Sequence, residues 1–374
     1  MKTYNIVAYL FMALSFSACE KSSVANSEEV ATVIPSNYTV FLSSSNHLNT
    51  VVLGSSDDGL EVQNSVTSFT EIPSKYTKFR TSDEISFYYT KNCEAKIQVY
   101  NAKSDIVKSY EVFKDFDPCS IDVIAITHTE QSIFIAYERE LQGKDKQNTV
   151  RVVPLNTNGN NSIDIPLDKK PVDLITSTNR LFVLTLNEFV TDEYHLSVVD
   201  LNTNELLMEI DLGRNVAKLF KNNAEQIIIS NPKLHTTLDP VTLDKTYTTY
   251  GENTEPGFLT TKDSFIDSAG KMYFQKTMQT SGVTSVPAIY NFQENSTVVY
   301  LFENFLSESE LNVKYSIAST TSIGYDELND FVLIGYQKKG NSNKGGILRI
   351  SPAPEFKIID NIDLDGVPQT IFVN

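Results

Sequence analysis

The stretch Leu181-Phe182-Val183-Leu184-Thr185 decides the fold. Four apolar residues and a Thr, followed by a polar loop, are typical of a short strand that is buried on both faces. Six similar runs occur along the 374-residue chain, and they begin at Tyr38, Ile85, Ile133, Ile227, Met272 and Phe331. Successive runs, including the one at Leu181, start 47, 48, 48, 46, 45 and 59 residues apart. The longer last interval predicts an insertion between the sixth and seventh repeats.

A fixed repeat of this length predicts an all-β protein, a seven-bladed β-propeller with four-stranded antiparallel blades. In the fourth repeat the four strands, from the channel outward, are predicted over Val172–Ile175, Leu181–Leu186, Leu196–Leu201 and Glu205–Leu212. The second strand is the most apolar because neighbouring blades cover both of its faces. The last residues, 367–374, have the pattern of an inner strand with no second strand behind it, and the first repeat lacks an inner strand. We therefore predict that the C-terminal strand pairs with the first blade and closes the ring.

The fourth repeat resembles the YVTN-type β-propeller repeat. That repeat has a Val-x-Val-Ile-Asp-like strand, a Thr-x-Lys or Thr-x-Glu-like turn and an Ile-x-Val-Gly-like ending. Leu196 to Gly213 carries the match, and Val150 to Asn158 repeats its first half with Pro154 in the Asp position. The resemblance covers the architecture of residues 36–374, whereas its specific motif lies in two repeats. The absence of Trp argues against propellers with Trp-docked blades and against the Trp-Asp repeat family.

The beginning of the chain has the composition of a secretory signal. Lys2 precedes the apolar stretch Ile6–Phe16, which is too short to span a bilayer as a mature helix. Phe16-Ser17-Ala18-Cys19 resembles the bacterial lipobox, in which the Cys is acylated and becomes the new N-terminus. We predict a signal peptide over residues 1–18, a lipidated flexible tether over 19–35 and the propeller over 36–374. An ordinary signal peptide with an incidental Cys is the alternative.

Lipid on Cys19 would make the membrane a partner of the protein. It predicts a lipid-anchored protein of the bacterial cell envelope, at the outer membrane facing the periplasm or the cell surface. Asp and Glu number 47 against 31 Lys and Arg, and the net charge is -16. This charge disfavours nucleic acid and anionic headgroups as partners.

Two cysteines remain after Cys19 is assigned to lipid. Cys93 lies in a loop between a second and a third strand, and Cys119 lies in the next connection between blades. Both kinds of segment emerge on the same face of a propeller, and an oxidising compartment permits disulfides. A Cys93–Cys119 disulfide is predicted, with two buried free thiols as the alternative.

The loops on that face are long and polar, which favours recognition there. The preferred function is a non-enzymatic one, the binding or scaffolding of a protein, peptide or glycan partner. Aromatic and charged side chains near the channel mouth are the candidate binding residues. They are Tyr89, Tyr137, Arg139, Glu188, Tyr194, Lys276 and Tyr336.

The alternative function follows from the family resemblance. Some related propellers are lactonase-like, so a metal-assisted hydrolase with a site at the central channel is the second hypothesis. It would require carboxylates or histidines that converge in the channel, and Glu138, Asp192 and His195 are the first to test. No nucleophile or phosphate-binding motif is readable, and no catalytic residue is assigned.

No resident cofactor or metal site is predicted, with calcium or another divalent ion as the alternative. The histidines, which lack metal-ligand spacing, are expected at the surface: His47, His128, His195 and His235. Residues 360–366 bring carboxylates together, but Phe372 stands where an EF-hand loop requires Glu. Asp363 and Asp365 are instead expected on the solvated face of an outer strand.

Overall fold

A computed structural model describes residues 33–140, 146–157, 161–216, 218–252, 254–278 and 282–374. It shows the predicted all-β architecture, a seven-bladed propeller with four antiparallel strands in each blade. The predicted signal peptide, Cys19 and the tether as far as residue 32 lie outside the described residues. No helix in the described part of the chain combines the length and apolar content that crossing a bilayer requires.

The first four blades are built from the two ends of the chain and its first half. From the channel outward, blade 1 consists of β29 (Val367–Val373), β1 (Ser36–Ser43), β2 (His47–Ser56) and β3 (Gly59–Val62), with β4 (Ile72–Pro73) paired to β2, and blade 2 consists of β5 (Thr77–Arg80), β6 (Glu84–Lys91), β7 (Glu94–Asn101) and β8 (Ile106–Val112). Blade 3 consists of β9 (Ile121–His128), β10 (Ser132–Glu140), β11 (Lys146–Pro154) and β12 (Ile163–Leu167). Blade 4 consists of β13 (Lys170–Ser177), β14 (Arg180–Asn187), β15 (Glu193–Asp200) and β16 (Glu205–Arg214).

Blades 5 to 7 follow the same order. Blade 5 consists of β17 (Lys218–Lys221), β18 (Ile227–Ser230), β19 (Leu234–Leu238) and β20 (Lys245–Thr249). Blade 6 consists of β21 (Ser264–Ile266), β22 (Lys271–Thr277), β23 (Ser285–Asn291) and β24 (Ser296–Val299). Blade 7 consists of β25 (Ile317–Asp326), β26 (Phe331–Lys338), β27 (Asn341–Ile350) and β28 (Ile358–Leu364). Short 3₁₀ helices occupy Pro118–Ser120, Leu155–Thr157, Phe258–Thr260 and Phe302–Asn304, and a π-helix occupies Glu310–Lys314.

All seven apolar runs form second strands, as predicted. In β14, Leu181 and Val183 pack against blade 3, whereas Phe182 and Leu184 pack against blade 5, and all four are fully buried. Successive side chains of a strand point to opposite faces, so a strand between two blades must be apolar at every position. Burial of each side chain contributes about 1.5–3 kcal/mol.

The buried apolar side chains of the described residues form seven clusters. Each cluster lies at one interface between successive blades, and the seventh lies between blades 7 and 1. Within the described residues no blade has a separate core, because each one buries its faces only against its neighbours. The stability of the propeller therefore depends on the ring being closed.

The C-terminal strand closes the ring, as predicted. β29 pairs antiparallel with β1, with Ile371 opposite Val40. Ile371 packs between blades 7 and 1, and Phe372 packs between blades 1 and 2. Beyond the strand, the Asn374 N–H donates a hydrogen bond to the Asn37 carbonyl at 2.8 Å. The chain end thus supplies the inner strand of blade 1 and contacts both neighbouring blades.

The two faces of the propeller carry different connections. The first face holds the turns between inner and second strands and between third and outer strands. The second face holds the loops between second and third strands and the connections between blades. Residues 300–316 connect blades 6 and 7 on the second face and contain a 3₁₀ helix and the π-helix. This connection accounts for the long interval between the last two repeats.

Candidate functional site

The inner strands enclose a cavity of about 840 Å³ on the axis of the propeller. Strands β5, β9, β13, β17 and β21 line it. Its wall includes Ser82 and Asn223 from turns of the first face, and Leu259 and Lys262 from a connection of the second face. This volume falls within the range of about 300–1,000 Å³ that is typical of small-molecule sites.

A buried ion cluster lies in the wall of this cavity. Asp263 accepts hydrogen bonds from Lys78 Nζ and Arg80 Nη1, both at 2.8 Å. Lys78 Nζ also donates to Thr370 Oγ1 at 3.2 Å, and Arg80 Nη2 donates to the Ile371 carbonyl at 2.6 Å. The cluster therefore connects blades 2 and 6 with the closing strand β29.

Burial and charge oppose each other at these three groups. Burial favours the neutral form of Asp263, but the attraction of Lys78 and Arg80 outweighs it and holds the pKa of this carboxyl below its usual value. Burial lowers the pKa of Lys78 and of Arg80, and the Asp263 carboxylate opposes both shifts. Each charge thus depends on its partners, since an unpaired buried ion is strongly unfavourable.

Two further charged groups face the cavity from blades 4 and 5. Lys218 Nζ donates to the Thr261 carbonyl at 3.1 Å, and it forms no ion pair with a carboxylate of the described residues. Asp173 accepts the N–H groups of Leu174 and Leu219 at 3.0 and 3.2 Å. Burial raises the pKa of Asp173, and the charge of Lys218 opposes this shift.

Sequence reasoning did not identify these cavity groups. They are Lys78, Arg80, Asp173, Lys218 and Asp263. The sequence Lys78-Phe79-Arg80 contained a local signal. Alternate residues of a strand point to the same face, so the two cationic side chains were bound to lie together. Nothing in the sequence indicated that Asp263 lies opposite them, since it stands at the start of another blade.

Three of the seven predicted binding residues are buried within the propeller. Tyr336 has no exposed surface, and Tyr137 and Tyr89 are 3% and 7% exposed. The Tyr336 hydroxyl donates to Asp363 at 3.2 Å, and the Tyr89 hydroxyl accepts from Gln98 at 2.9 Å. The prediction that these rings lie at the channel mouth is wrong, because the second strands stay covered by neighbouring blades at these positions.

The other four predicted residues reach solvent on blades 3, 4 and 6. Arg139 lies over the Phe116 ring at 4.3 Å, Glu188 is exposed, and Tyr194 is half-buried. Lys276 is half-buried and donates to a backbone carbonyl in the connection between blades 5 and 6. None of the seven lines the central cavity, and a role of these four in recognition stays a prediction.

Three of the four most exposed large apolar side chains of the described residues lie on the second face. The four are Phe189 at 97%, Val66 at 91%, Val313 at 76% and Leu259 at 67% exposure. Phe189 lies in the loop between the second and third strands of blade 4, and Val313 and Leu259 lie in connections between blades. Val66 lies on the outer edge of blade 1, because the nearby Ser68 N–H donates to Asp105 in a first-face turn of blade 2. Leu259 also lines the cavity, so it marks the mouth of the channel on the second face. The signal for these residues was an apolar residue in an otherwise polar loop.

The predicted disulfide is present on the second face. Cys93 lies between β6 and β7, Cys119 lies in the connection from blade 2 to blade 3, and their Cα atoms are 5.3 Å apart. Asp117 accepts the Cys119 N–H at 2.9 Å and so caps the short helix that holds this cysteine. The bond spans 26 residues of sequence, and closing such a loop contributes about 3 kcal/mol through the unfolded state.

The residues named for a metal-assisted hydrolase do not converge. Glu138 is buried between Lys146 and Lys170, whose Nζ atoms lie 3.3 and 3.2 Å from its carboxylate. His195 and Asp192 belong to the second-face end of blade 4, and neither they nor Glu138 line the cavity. Glu138 therefore neutralises two lysines at the contact between blades 3 and 4.

Two of the four histidines differ from expectation because they are buried. His128 contacts Ser86 Oγ at 2.8 Å and Glu84 Oε2 at 3.0 Å through its two ring nitrogens. This contact holds the pKa of Glu84 down at about 2. His235 is 3% exposed beside Tyr250, and burial lowers its pKa to about 4. The prediction of a surface position is wrong for both.

One group of metal-ligand residue types occurs among the described residues, namely Cys93, Asp117 and Cys119. Its two sulfurs already form the disulfide, so they are not free to bind a metal as thiolates. The acidic run at residues 360–366 lies in and just after the outer strand β28, where Asp365 is 95% exposed and paired with Lys344. This placement agrees with the predicted solvated face.

Comparison with known proteins supports the fold. No family model matches the sequence, and no curated protein matches it significantly. Among solved structures, a candidate 6-phosphogluconolactonase from Bacteroides fragilis aligns over 91% of this chain and 98% of its own, with a TM-score of 0.53 and 11% identity. AztD from Citrobacter koseri aligns over 91% and 98%, with a TM-score of 0.47 and 10% identity. A Lactobacillus plantarum protein aligns over 91% and 100%, with a TM-score of 0.49 and 10% identity.

These identities are too low to transfer a function. The likeness to the Bacteroides fragilis protein shows a shared propeller fold over nearly the whole length of both chains. The chain therefore belongs to the structural class of seven-bladed β-propellers. What it binds has to be argued from its own surfaces and cavity.

Proposed function

We propose that this protein is a lipid-anchored binding propeller of the bacterial cell envelope. In this proposal Cys19 carries the lipid, and the second face recognises a protein or peptide partner. The lipobox-like residues Phe16 to Cys19 support the anchor. The rigid propeller supports the second part, because loops that a stable scaffold holds in place are suited to recognition.

The distribution of exposed apolar side chains carries the proposal. Phe189, Val66, Val313 and Leu259 are more exposed than any other large apolar residue in the described part of the chain, and all of them except Val66 lie on the second face. Random surface exposure would distribute such residues over both faces and the rim. Apolar anchors among polar loops are the usual composition of a surface that binds another protein.

The surface charge limits the kind of partner. A chain with a net charge of -16 attracts basic proteins and repels other acidic ones. The exposed carboxylate of Glu188 lies next to Phe189 on the second face. We therefore expect a partner whose contact surface combines apolar groups with Lys or Arg.

Substitution of two anchors tests the partner surface. In the double variant Phe189→Asp with Leu259→Asp, a solvated carboxylate takes the place of each apolar contact. We expect this variant to retain at least tenfold less of the partner than wild type. Val241→Asp with Leu328→Asp is the matched control, because these residues are 60% and 66% exposed on the first face. Immobilised variants are incubated with envelope extract of the encoding organism, and retained proteins are quantified by mass spectrometry.

A protein counts as the partner only if the second-face double variant fails to retain it and the first-face double variant still retains it. Its affinity is then measured with purified components by calorimetry. Equal retention by both pairs, or equal loss from both, would contradict a binding surface on the second face. Both double variants are first compared by thermal melting, because only exposed side chains are changed and the fold should be retained.

The lipid anchor is tested separately with Cys19→Ser. We expect wild-type protein to sediment with membranes and to be released by detergent, and the variant to stay in the supernatant after signal cleavage. The physical reason is that several acyl chains on Cys19 give stable anchoring, whereas the Cys19→Ser variant would carry no lipid. Fractionation with immunodetection measures this. Wild-type protein in the supernatant would support the ordinary signal peptide instead.

A further inference from the structure

We propose that the central cavity binds a small anionic ligand, one with a carboxylate or phosphate group, between Lys78 and Lys218. This site goes beyond the partner surface of the second face. Its two lysines lie on inner strands, and Phe189 of the partner surface does not line the cavity, whereas Leu259 belongs to both surfaces. Four observations support it: the local charge, the free donors, the occupied carboxylates and the size of the cavity.

The charge of the cavity is opposite to that of the protein. Five cationic side chains line it, and three carboxylates oppose them, which gives a net charge of +2 in a chain of -16. The cations are Lys78, Arg80, Lys218, Lys221 and Lys262, and the carboxylates are Asp173, Asp263 and Glu225. A positive cleft with low-dielectric walls concentrates anions from solution.

Lys218 retains unused hydrogen-bond donors. An ammonium group has three N–H donors, and Lys218 uses one of them on the Thr261 carbonyl. Lys218 is also close enough to Lys78 to oppose its charged form, in addition to the larger effect of burial. An anion between these two lysines would relieve their repulsion and accept the two free N–H groups of Lys218. The three N–H groups of Lys78 already have acceptors in Asp263, the Gln369 carbonyl and Thr370, so Lys78 contributes its charge.

The carboxylates of the cavity are already occupied, which argues against a cationic ligand. Asp263 accepts hydrogen bonds from Lys78, Arg80 and Thr370. Asp173 accepts two backbone N–H groups, one on each oxygen. A metal ion would have to displace these donors, whereas an anion uses donors that have no acceptor.

The size of the cavity suits a small molecule. About 840 Å³ is enough for a metabolite-sized ligand and too narrow for a folded domain. Apolar residues Phe220, Phe265 and Ile126 also line the wall and would contact the non-ionic part of the ligand. The three inner strands that carry Lys78, Lys218 and Asp173 belong to different blades, so the site requires the closed ring.

Calorimetry with simple probes tests this site at constant ionic strength. Inorganic phosphate, citrate and glucuronate are titrated into the purified protein, with glucose as the neutral counterpart of glucuronate. We expect at least one of the three anions to bind. We expect Lys218→Met to weaken that binding about tenfold or more, because a charge-assisted hydrogen bond is lost. Lys218→Arg, which keeps the charge and the donors, should bind within about threefold of wild type.

Lys108→Met is the matched control. Lys108 is exposed on the outer strand β8 and, like Lys218, forms no ion pair among the described residues, so its substitution should leave the affinity unchanged. The proposal is overturned if none of the three anions binds, if glucose binds as tightly as glucuronate, or if Lys218→Met binds the anion as tightly as wild type. A melting curve of each variant verifies that the ring remains folded.

Discussion

Deletion of residues 367–374 is expected to remove the cooperative unfolding transition or to lower its midpoint by at least about 10 °C. Ile371 and Phe372 are 1% and 2% exposed, and their burial contributes about 1.5–3 kcal/mol each. The deletion also leaves the inner edge of β1 unpaired and opens the apolar clusters on both sides of blade 1. Together these losses approach the total stability of about 5–15 kcal/mol that is usual for a folded protein.

Thermal unfolding monitored by circular dichroism measures this effect, and light scattering detects aggregation through the open edges. Deletion of Asn374 alone is the matched control, because it removes hydrogen bonds beyond the strand and keeps Ile371 and Phe372. Addition of a synthetic peptide of residues 367–374 should restore part of the lost stability by strand addition. An unchanged melting curve of the eight-residue deletion would refute closure by this strand.

Asp263→Ala is expected to reduce the free energy of unfolding by about 3–5 kcal/mol, the usual cost of breaking a buried ion pair. Lys78 and Arg80 would lose their shared carboxylate while their side chains remain 19% and 6% exposed. Asp83→Ala is the matched control, because its pair with Lys103 is exposed and such pairs contribute about 0–1 kcal/mol. Urea unfolding at neutral pH measures both values.

The pH dependence of this effect has a definite sign. The pKa of Asp263 is lower in the folded protein than in the unfolded chain. Its ionised form therefore stabilises the protein above the ordinary carboxyl pKa of about 4, and this contribution is lost as the pH falls further. The difference between wild type and Asp263→Asn should shrink in acid. Equal stability of wild type and Asp263→Ala at neutral pH would show that the cluster is not the stabilising unit we describe.

The fold was predictable because its strongest signal is local. A strand such as Leu181–Leu184 is covered on both faces, so every residue must be apolar, and the run is visible in the sequence alone. The disulfide was predictable for a similar reason, since the segments that hold Cys93 and Cys119 must emerge on one face of any four-stranded blade. Both inferences require only the order of strands and no knowledge of side-chain packing.

The site was less predictable because it depends on packing between distant residues. Tyr137 and Tyr336 end apolar runs, and the sequence does not show whether the last residue of a buried strand is still covered by its neighbours. The ion cluster joins Lys78 to Asp263 and Thr370, which are separated by 185 and 292 residues. Inner strands are short and mixed in composition, so no periodic pattern distinguishes their cavity-facing side chains.

The pairing of β29 with β1 has a consequence for biosynthesis. A ribosome that has finished Ser43 must add 323 more residues before it reaches Val367, the first residue of the partner strand. Until then the first blade of the nascent chain is incomplete. The charged side chains of the central cavity, which come from blades 2, 4, 5 and 6, are not yet enclosed by a complete ring. Closure of the propeller is therefore a late event in synthesis, and a stop codon anywhere before Val367 would yield an open chain rather than a smaller closed ring.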